Sequence, residues 1–429
     1  MPDFVMVVVG CGGGPTEDNL SAYLVKCHGT RWSEGTLGLE AGSGLGALTR
    51  LIGDDPNLFN DNDVHRSKTL LSSPGAGPSE RATEVYSSIR SFIITHGHLD
   101  HAMSLVVTAG SQGGPTKYIY GLERTIQVLE MLFNGLIWPK LAARVGELAP
   151  PFFYRYIPVA PAEKYLQVAP NVSVRAFPIS HGTNDQSVDG TYESSAWFLR
   201  NDQSSQEFLF FGDVEPDSIS RLPRTRAVWK HAARKIGRKQ LGTIFLECSW
   251  RNGRKNKELY GHLSPPHVLD EMRNLATEVV LAAREQPPPP SRFSFLWNLL
   301  GYGTSQPEVT LTNRELQGAL QGVRLVVIHC KATSETFPEG KSIADVISEE
   351  IRELVKGSGL GLEVMAAKQG MTIVPQPSNL ACVTRLYPER GEDETARLKQ
   401  DNKRLQATVK SLEVSIKHVE GNLKDKAKE

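Results

Sequence analysis

Between residues 96 and 101 the chain reads His96-Gly97-His98-Leu99-Asp100-His101, three imidazoles and a carboxylate within six residues. A lone histidine is ordinarily structural, but four ligand-type side chains this close repel and lose solvation unless a cation joins them. Imidazole nitrogen and carboxylate oxygen suit zinc or a similar first-row ion. The spacing also divides the set. His96 and His98, two residues apart, face one side of an extended turn. Asp100 and His101 follow where the chain enters a helix, so they can face a second point. That division suits two ions about 3.5–4 Å apart, which can hold a shared hydroxide and both oxygens of a displacement at phosphorus.

Such a cluster must be carried by a strand. Ile89-Arg90-Ser91-Phe92-Ile93-Ile94 reads as one that stops at Thr95, and Leu99 to Ala109 can follow as a helix. Phe4 to Val9 reads as a first buried strand ending in Gly10-Cys11-Gly12-Gly13-Gly14, with Ser21 to Val25 and Thr36 to Glu40 after it. Further strands are expected at Val172–Pro178, Ser195–Arg200, Glu207–Phe211, Thr243–Leu246 and Val323–Ile328. Helices are expected at Ile126–Phe133, Pro266–Arg284 and Ile343–Lys356. Residues 53–88, rich in Asp, Asn, Ser, Pro and Gly, read as a long surface excursion.

Composition narrows the class. The 429 residues carry 48 basic and 48 acidic side chains, a balance that argues against nucleic-acid binding through bulk positive charge. No apolar run approaches the roughly 20 residues of a spanning helix, and the N-terminus lacks the basic region of a secretory signal. Five scattered cysteines (Cys11, Cys27, Cys248, Cys330 and Cys382) make a poor disulfide framework and fit a reducing compartment. The expectation is a cytoplasmic protein without a membrane partner.

The pattern H-x-H-x-D-H after a buried strand resembles the metallo-β-lactamase superfamily. In its longer form, Thr95 to His101, it is similar to the signature of the class II 3′,5′-cyclic-nucleotide phosphodiesterases, the low-affinity type of fungi and some bacteria. Gly12-Gly13-Gly14-Pro15 with Asp18 to Val25, and Ala41-Gly42-Ser43-Gly44, resemble that family's opening and its third-strand turn. The resemblance spans residues 4 to about 380. It implies an α/β fold, the metallo-β-lactamase αββα sandwich, here with loop insertions and a C-terminal helical tail.

The resemblance also implies ligands downstream, each at a strand end. His181 in Ile179-Ser180-His181-Gly182 follows the strand ending at Phe177, Asp213 ends an apolar strand, and so does His329. The implied set is His96, His98 and His181 on one ion, Asp100, His101 and His329 on the other, and Asp213 between them. The cofactors would be two divalent ions, zinc first, with manganese or iron as alternatives. Asp100 also counts among the catalytic candidates, with Glu247 and His262. The last two are similar to a glutamate–histidine pair that assists phosphodiester cleavage in tRNase Z-like relatives: His262 would protonate the leaving 3′-oxygen, and Glu247 would orient its ring and hold it charged. Ser264, capping a helix before Pro265 and Pro266, gives His262 a plainer role as a helix neighbour.

The expected reaction is hydrolysis of 3′,5′-cyclic AMP, with cyclic GMP as a second candidate, to the 5′-nucleotide. A tRNA 3′-processing endonuclease is the alternative enzyme, and a dimerising scaffold with a vestigial metal site is the non-enzymatic one. The run Arg224, Arg226, Lys230, Arg234, Lys235, Arg238 and Lys239 within the insert 223–240 reads as a solvated helix face near a site mouth, or as an anion-steering patch. The insert 285–308 joins a proline run to an apolar segment and reads as a loop or a dimer contact. The chain divides into 1–390, the hydrolase domain, and 391–429, a helix. With residue 395 at heptad position a, Leu398, Leu405 and Leu412 fall at d, Val409 and Ile416 at a, and Asn402 at one a position. That pattern favours a two-stranded parallel coiled coil, hence a homodimer through residues 395–423, with a solvated single helix as the alternative.

Overall fold

In the first strand, β1 (Phe4–Gly10), alternate side chains enter two different cores: Phe4, Met6 and Val8 point to one, Val7 and Val9 to the other. A strand buried on both faces reads as the continuous apolar run seen in the sequence. The same alternation recurs in β11 (Glu207–Phe211), where Phe208 and Phe210 share the core of Phe4, while Leu209 and Phe211 enter a third. The computed structural model describes residues 3–61, 75–111, 113–147, 152–161, 164–284, 311–338 and 340–375.

Two sheets follow from this pattern. The first has the order β15-β1-β2-β3-β4-β5-β7-β6. It adds to β1 the strands β2 (Ala22–Cys27), β3 (Leu37–Leu39), β4 (Ser91–Ile93), β5 (Lys117–Gly121), β6 (Ala142–Arg144), β7 (Tyr154–Pro158) and β15 (Thr372–Ile373). The second has the order β14-β13-β12-β11-β10-β9-β8. Around β11 it places β8 (Leu166–Ala169), β9 (Val172–Thr183), β10 (Thr191–Asn201), β12 (Leu241–Glu247), β13 (Arg324–Ile328) and β14 (Glu363–Ala366).

The sheets face one another across a core in which Phe4 meets Phe208 edge-on at 5.0 Å and Tyr23 meets Phe210 at 5.2 Å. Truncating Phe208 to alanine would cost about 3–5 kcal/mol, by the usual cavity penalty. Over the outer face of the first sheet lie α2 (Leu45–Asp54), α3 (Pro78–Ser88), α4 (Leu99–Thr108) and α5 (Glu123–Leu132), beyond the single-turn α1 (Trp32–Gly35). Over the second lie α6 (Thr225–Gly237), α7 (Pro265–Arg284), the short α8 (Asn313–Leu316) and α9 (Ile343–Ser358). Helix, sheet, sheet, helix is the αββα sandwich of the metallo-β-lactamase fold. In both sheets a run of parallel strands (β3-β4-β5 and β11-β12-β13) ends at one edge, and open α/β sheets bind ligands at such carboxyl ends.

Several expectations need correction. The surface excursion at 53–88 contains α3, whose Ala82, Val85 and Tyr86 are buried at helical spacing that its polar composition hides. The insert at 223–240 holds a helix with exposed Lys230 and Arg234 on a solvated face, as expected, but the other face of α6 is core and buries Val228, Trp229, Ala232, Ala233 and Ile236. Its cations are partly neutralised, Arg226 by Glu278 and Lys235 by Glu207 at 2.5 Å, while Arg224 just before it pairs with Asp189. β9 does not end near Phe177 but runs to Thr183, so His181 lies inside it. Strands β5 to β8, β14 and β15 and helix α2 were not anticipated. The tail 391–429, the insert 285–308 and residues 62–74 lie outside the described residues.

Candidate metal centre

Five strand ends and one helix carry the candidate side chains. His96 and His98 lie between β4 and α4, where a Cβ at Gly97 would run into Val128 of α5. Asp100 and His101 occupy the first turn of α4. His181 comes from β9, Asp213 stands two residues after β11, Glu247 closes β12, and His329 follows β13. His262 precedes α7. His96, His98, His181 and Asp213 present ligand atoms all within 4.8 Å of one another, and so do Asp100, His101, Asp213 and His329.

Asp213 sits between the two groups with one oxygen for each. Its Oδ2 lies 3.8 Å from His96 Nε2 and 3.6 Å from His181 Nε2. Its Oδ1 lies 3.3 Å from His101 Nε2 and 3.4 Å from His329 Nε2. Asp100 Oδ2 is 3.2 Å from His329 Nε2.

The residues fit divalent cations on two further observations. His96 Nε2 is buried without a hydrogen-bond partner. His101 Nε2 and His329 Nε2 lie 3.1 Å apart, and bare nitrogen lone pairs so close call for a positive charge between them. Three of the inward-facing imidazoles, His96, His181 and His329, have their other nitrogens hydrogen-bonded, which fixes the tautomer that leaves Nε2 bare, while His101 Nδ1 makes no hydrogen bond and only approaches a carboxylate. His181 Nδ1 donates to Gly261 O at 2.7 Å. His96 Nδ1 donates to Thr95 Oγ1 at 3.0 Å, and that hydroxyl donates in turn to Glu40 Oε1. His101 Nδ1 lies 3.3 Å from the same Glu40 oxygen. His329 Nδ1 donates to Ser249 Oγ at 3.1 Å, and that hydroxyl donates to Glu247 Oε2 at 2.9 Å.

Sequence reasoning missed Glu40, Thr95 and Ser249. Glu40 is 1% exposed, at a φ of +59°. The available signal was an acidic residue directly after a strand and before Ala41-Gly42-Ser43-Gly44, and a hydroxyl beside each of two ligand candidates. Tyr192 was also missed; its ring stacks on His98 with centroids 4.4 Å apart.

Electrostatics keep three of the imidazoles neutral, as coordination requires. Burial pushes His98 and His181 down to about 4 and His96 well below its ordinary value, so all three are neutral near pH 7. For His101 burial opposes the charge, but Asp213, Glu40 and Asp100 outweigh it and raise the imidazole. At the edge of the cluster, His262 Nδ1 lies 2.9 Å from Glu247 Oε1. Burial lowers His262 to about 3, and burial together with Asp213 raises Glu247 to about 7. Glu247, His262 and His329 form a third group with ligand atoms within 4.8 Å.

The sandwich and the histidine–aspartate cluster at its strand ends define a metallo-β-lactamase-fold hydrolase able to hold divalent metal. The chain belongs to the class-II cAMP phosphodiesterase family, whose model matches residues 61–370. It is 26% identical over 374 residues to a probable 3′,5′-cyclic-nucleotide phosphodiesterase of Yersinia pestis, covering 86% of this chain and 88% of that one. It is 31% identical over 278 residues to a 3′,5′-cyclic-nucleotide phosphodiesterase of Schizosaccharomyces pombe, covering 63% of this chain and 74% of that one. The crystal structure of unliganded yeast PDE1 aligns with a TM-score of 0.66 at 26% identity, over 86% of this chain and 99% of that one.

Proposed function

We propose that this chain hydrolyses 3′,5′-cyclic AMP, and cyclic GMP as a second substrate, to the 5′-nucleotide, in the cytoplasm. The observation that carries the reading is the split carboxylate of Asp213, one oxygen toward each of two histidine groups, inside a chain of the class-II cAMP phosphodiesterase family. His96, His98, His181 and Asp213 would hold one divalent ion, and Asp100, His101, His329 and Asp213 the other; the donor chemistry favours zinc, with manganese or iron as alternatives. When bound, such a pair supplies Lewis-acid polarisation of phosphoryl oxygens and a water acidic enough to act near neutral pH.

Hydrolysis adds one water oxygen to phosphorus and breaks the bond between phosphorus and the 3′-oxygen, which leaves needing a proton. His262 would give it. Its Nδ1 lies 2.9 Å from Glu247 Oε1, which leaves Nε2 as the nitrogen for the substrate. Before substrate binds, burial disfavours the charged ring; an anionic phosphate beside Nε2 raises the imidazole and loads the proton where it is needed. Asp213 orients four imidazoles at once, and Asp100 adds an anionic donor at the more open side of the cluster.

The same reading assigns residues 1–390 to the hydrolase and 391–429 to a dimerising helix. Incubating the metal-loaded protein with cyclic AMP tests the reaction. 5′-AMP as the product supports it, and 3′-AMP or no turnover overturns it. A panel with cyclic GMP, a 2′,3′-cyclic nucleotide and a tRNA precursor sets the substrate class.

A further inference from the structure

We propose that Lys331 is a binding residue for the phosphate group of the substrate and product, a role that rests on the phosphodiesterase reading. Three hydrogen bonds to two segments hold the backbone around it. Lys331 N donates to Ser249 O at 3.1 Å on one side. On the other, Gly13 N donates to Cys330 O at 3.2 Å and Ala332 N to Gly14 O at 3.0 Å. The glycine turn therefore lies along the 330–332 segment. It also lies against the ring of His329: a Cβ on Gly13 would stand 2.5 Å from His329 Cε1, so no larger residue fits there.

The Lys331 Nζ donates to Gly13 O at 3.0 Å and stands 6.0 Å from the centroid of the Trp250 ring. That ring lies 6.4 Å from the imidazole of His262. The half-buried lysine is thus held between a glycine carbonyl and an indole, two residues from the last candidate ligand and with the indole between it and the candidate acid. No carboxylate oxygen of the described residues lies within 4.0 Å of it. Neighbouring cations are already engaged, Arg251 by Glu335 and Glu350, and Arg254 by the face of Trp250 at 3.5 Å.

A half-buried ammonium with spare donors and no counter-ion is unfavourable by itself. An anion arriving beside Lys331 offsets that cost. A phosphate fits, because its oxygens are strong acceptors and lysine recognises them as a point charge. The phosphodiester substrate carries one negative charge, and the phosphomonoester product carries nearly two near neutral pH. Lys331 therefore strengthens product binding more than substrate binding.

The test compares the metal-loaded wild type with Lys331→Met and Lys331→Arg. Inorganic phosphate binding is read by calorimetry, KM and kcat with cyclic AMP, and metal content by elemental analysis. Lys331→Met is expected to weaken phosphate binding about ten- to a hundredfold, the loss typical of one charge-assisted hydrogen bond, and to raise KM similarly. Lys331→Arg should recover most of both. Metal content, and inhibition by the neutral nucleoside adenosine, should match wild type. Unchanged phosphate binding in Lys331→Met overturns the assignment. So does a loss of metal, or an equal weakening of phosphate and adenosine, because either marks a structural role. If the wild type turned over no cyclic nucleotide, the functional reading would fall, while phosphate binding would still decide the role of the lysine.

Discussion

Two buried carboxylates, Glu40 and Glu247, support the site in parallel ways to different ends. Each has a hydroxyl beside it, Thr95 for Glu40 and Ser249 for Glu247, and each reaches two imidazoles. Glu40 stands behind His96 and His101, one from each group around Asp213. Glu247 stands behind His329 through Ser249 and behind His262 directly. The first carboxylate thus serves two candidate ligands, and the second serves one ligand and one proton donor. The relay of carboxylate to hydroxyl to imidazole serves one candidate ligand on each side, His96 and His329, while the candidate acid His262 takes its carboxylate directly.

Breaking what lies between them should have the largest effect. Asp213→Ala is expected to leave less than one equivalent of metal on the desalted protein and no measurable turnover. Two retained ions would show that the carboxylate does not join the halves. On the Glu247 side, His262→Ala should keep both ions and lower kcat by roughly 10²–10⁴-fold, the usual contribution of a general acid. An unchanged kcat would remove His262 from the reaction. On the Glu40 side the readout moves from rate to metal: Glu40→Gln should weaken metal retention about 10–100-fold in a chelator competition, as is usual when the partner of a ligand histidine is altered. If Glu40→Gln lowered kcat but held metal like the wild type, the two carboxylates would not differ as described.

Ser249→Ala should act more mildly, by about tenfold in metal retention for one lost hydrogen bond, with Ser249→Thr restoring it. The smallest effect on catalysis is expected from deleting residues 391–429, which should change the oligomeric mass seen in light scattering and leave kcat near normal.

The run His96 to His101 was legible because three histidines and an aspartate crowd six residues, and Asp213 and His329 through the family resemblance, which asks for candidates at the ends of apolar strands. Their supports were not. Glu40 meets Thr95 across 55 positions of chain, and the local signal at each, an acid after a strand and a hydroxyl beside a histidine, does not reveal that they meet. β5 escaped notice for a related reason. It begins with Lys117, which is buried because its ammonium donates to Tyr86 O at 3.1 Å and Ile89 O at 2.8 Å near the end of α3. A lysine in a core position is readable only once the carbonyls it caps are known. The buried stripe of α6 went unread, since its apolar residues are interleaved with the cations of its solvated face.

His329 holds a φ of +58°, a left-handed conformation that an imidazole-bearing residue adopts at a cost of about 1–3 kcal/mol. A glycine there would relax the chain while deleting a donor. The relaxation would be set against what the imidazole does there: its Nδ1 donates to Ser249 Oγ at 3.1 Å and its Nε2 lies 3.2 Å from Asp100 Oδ2, and the buried space it fills would be left empty.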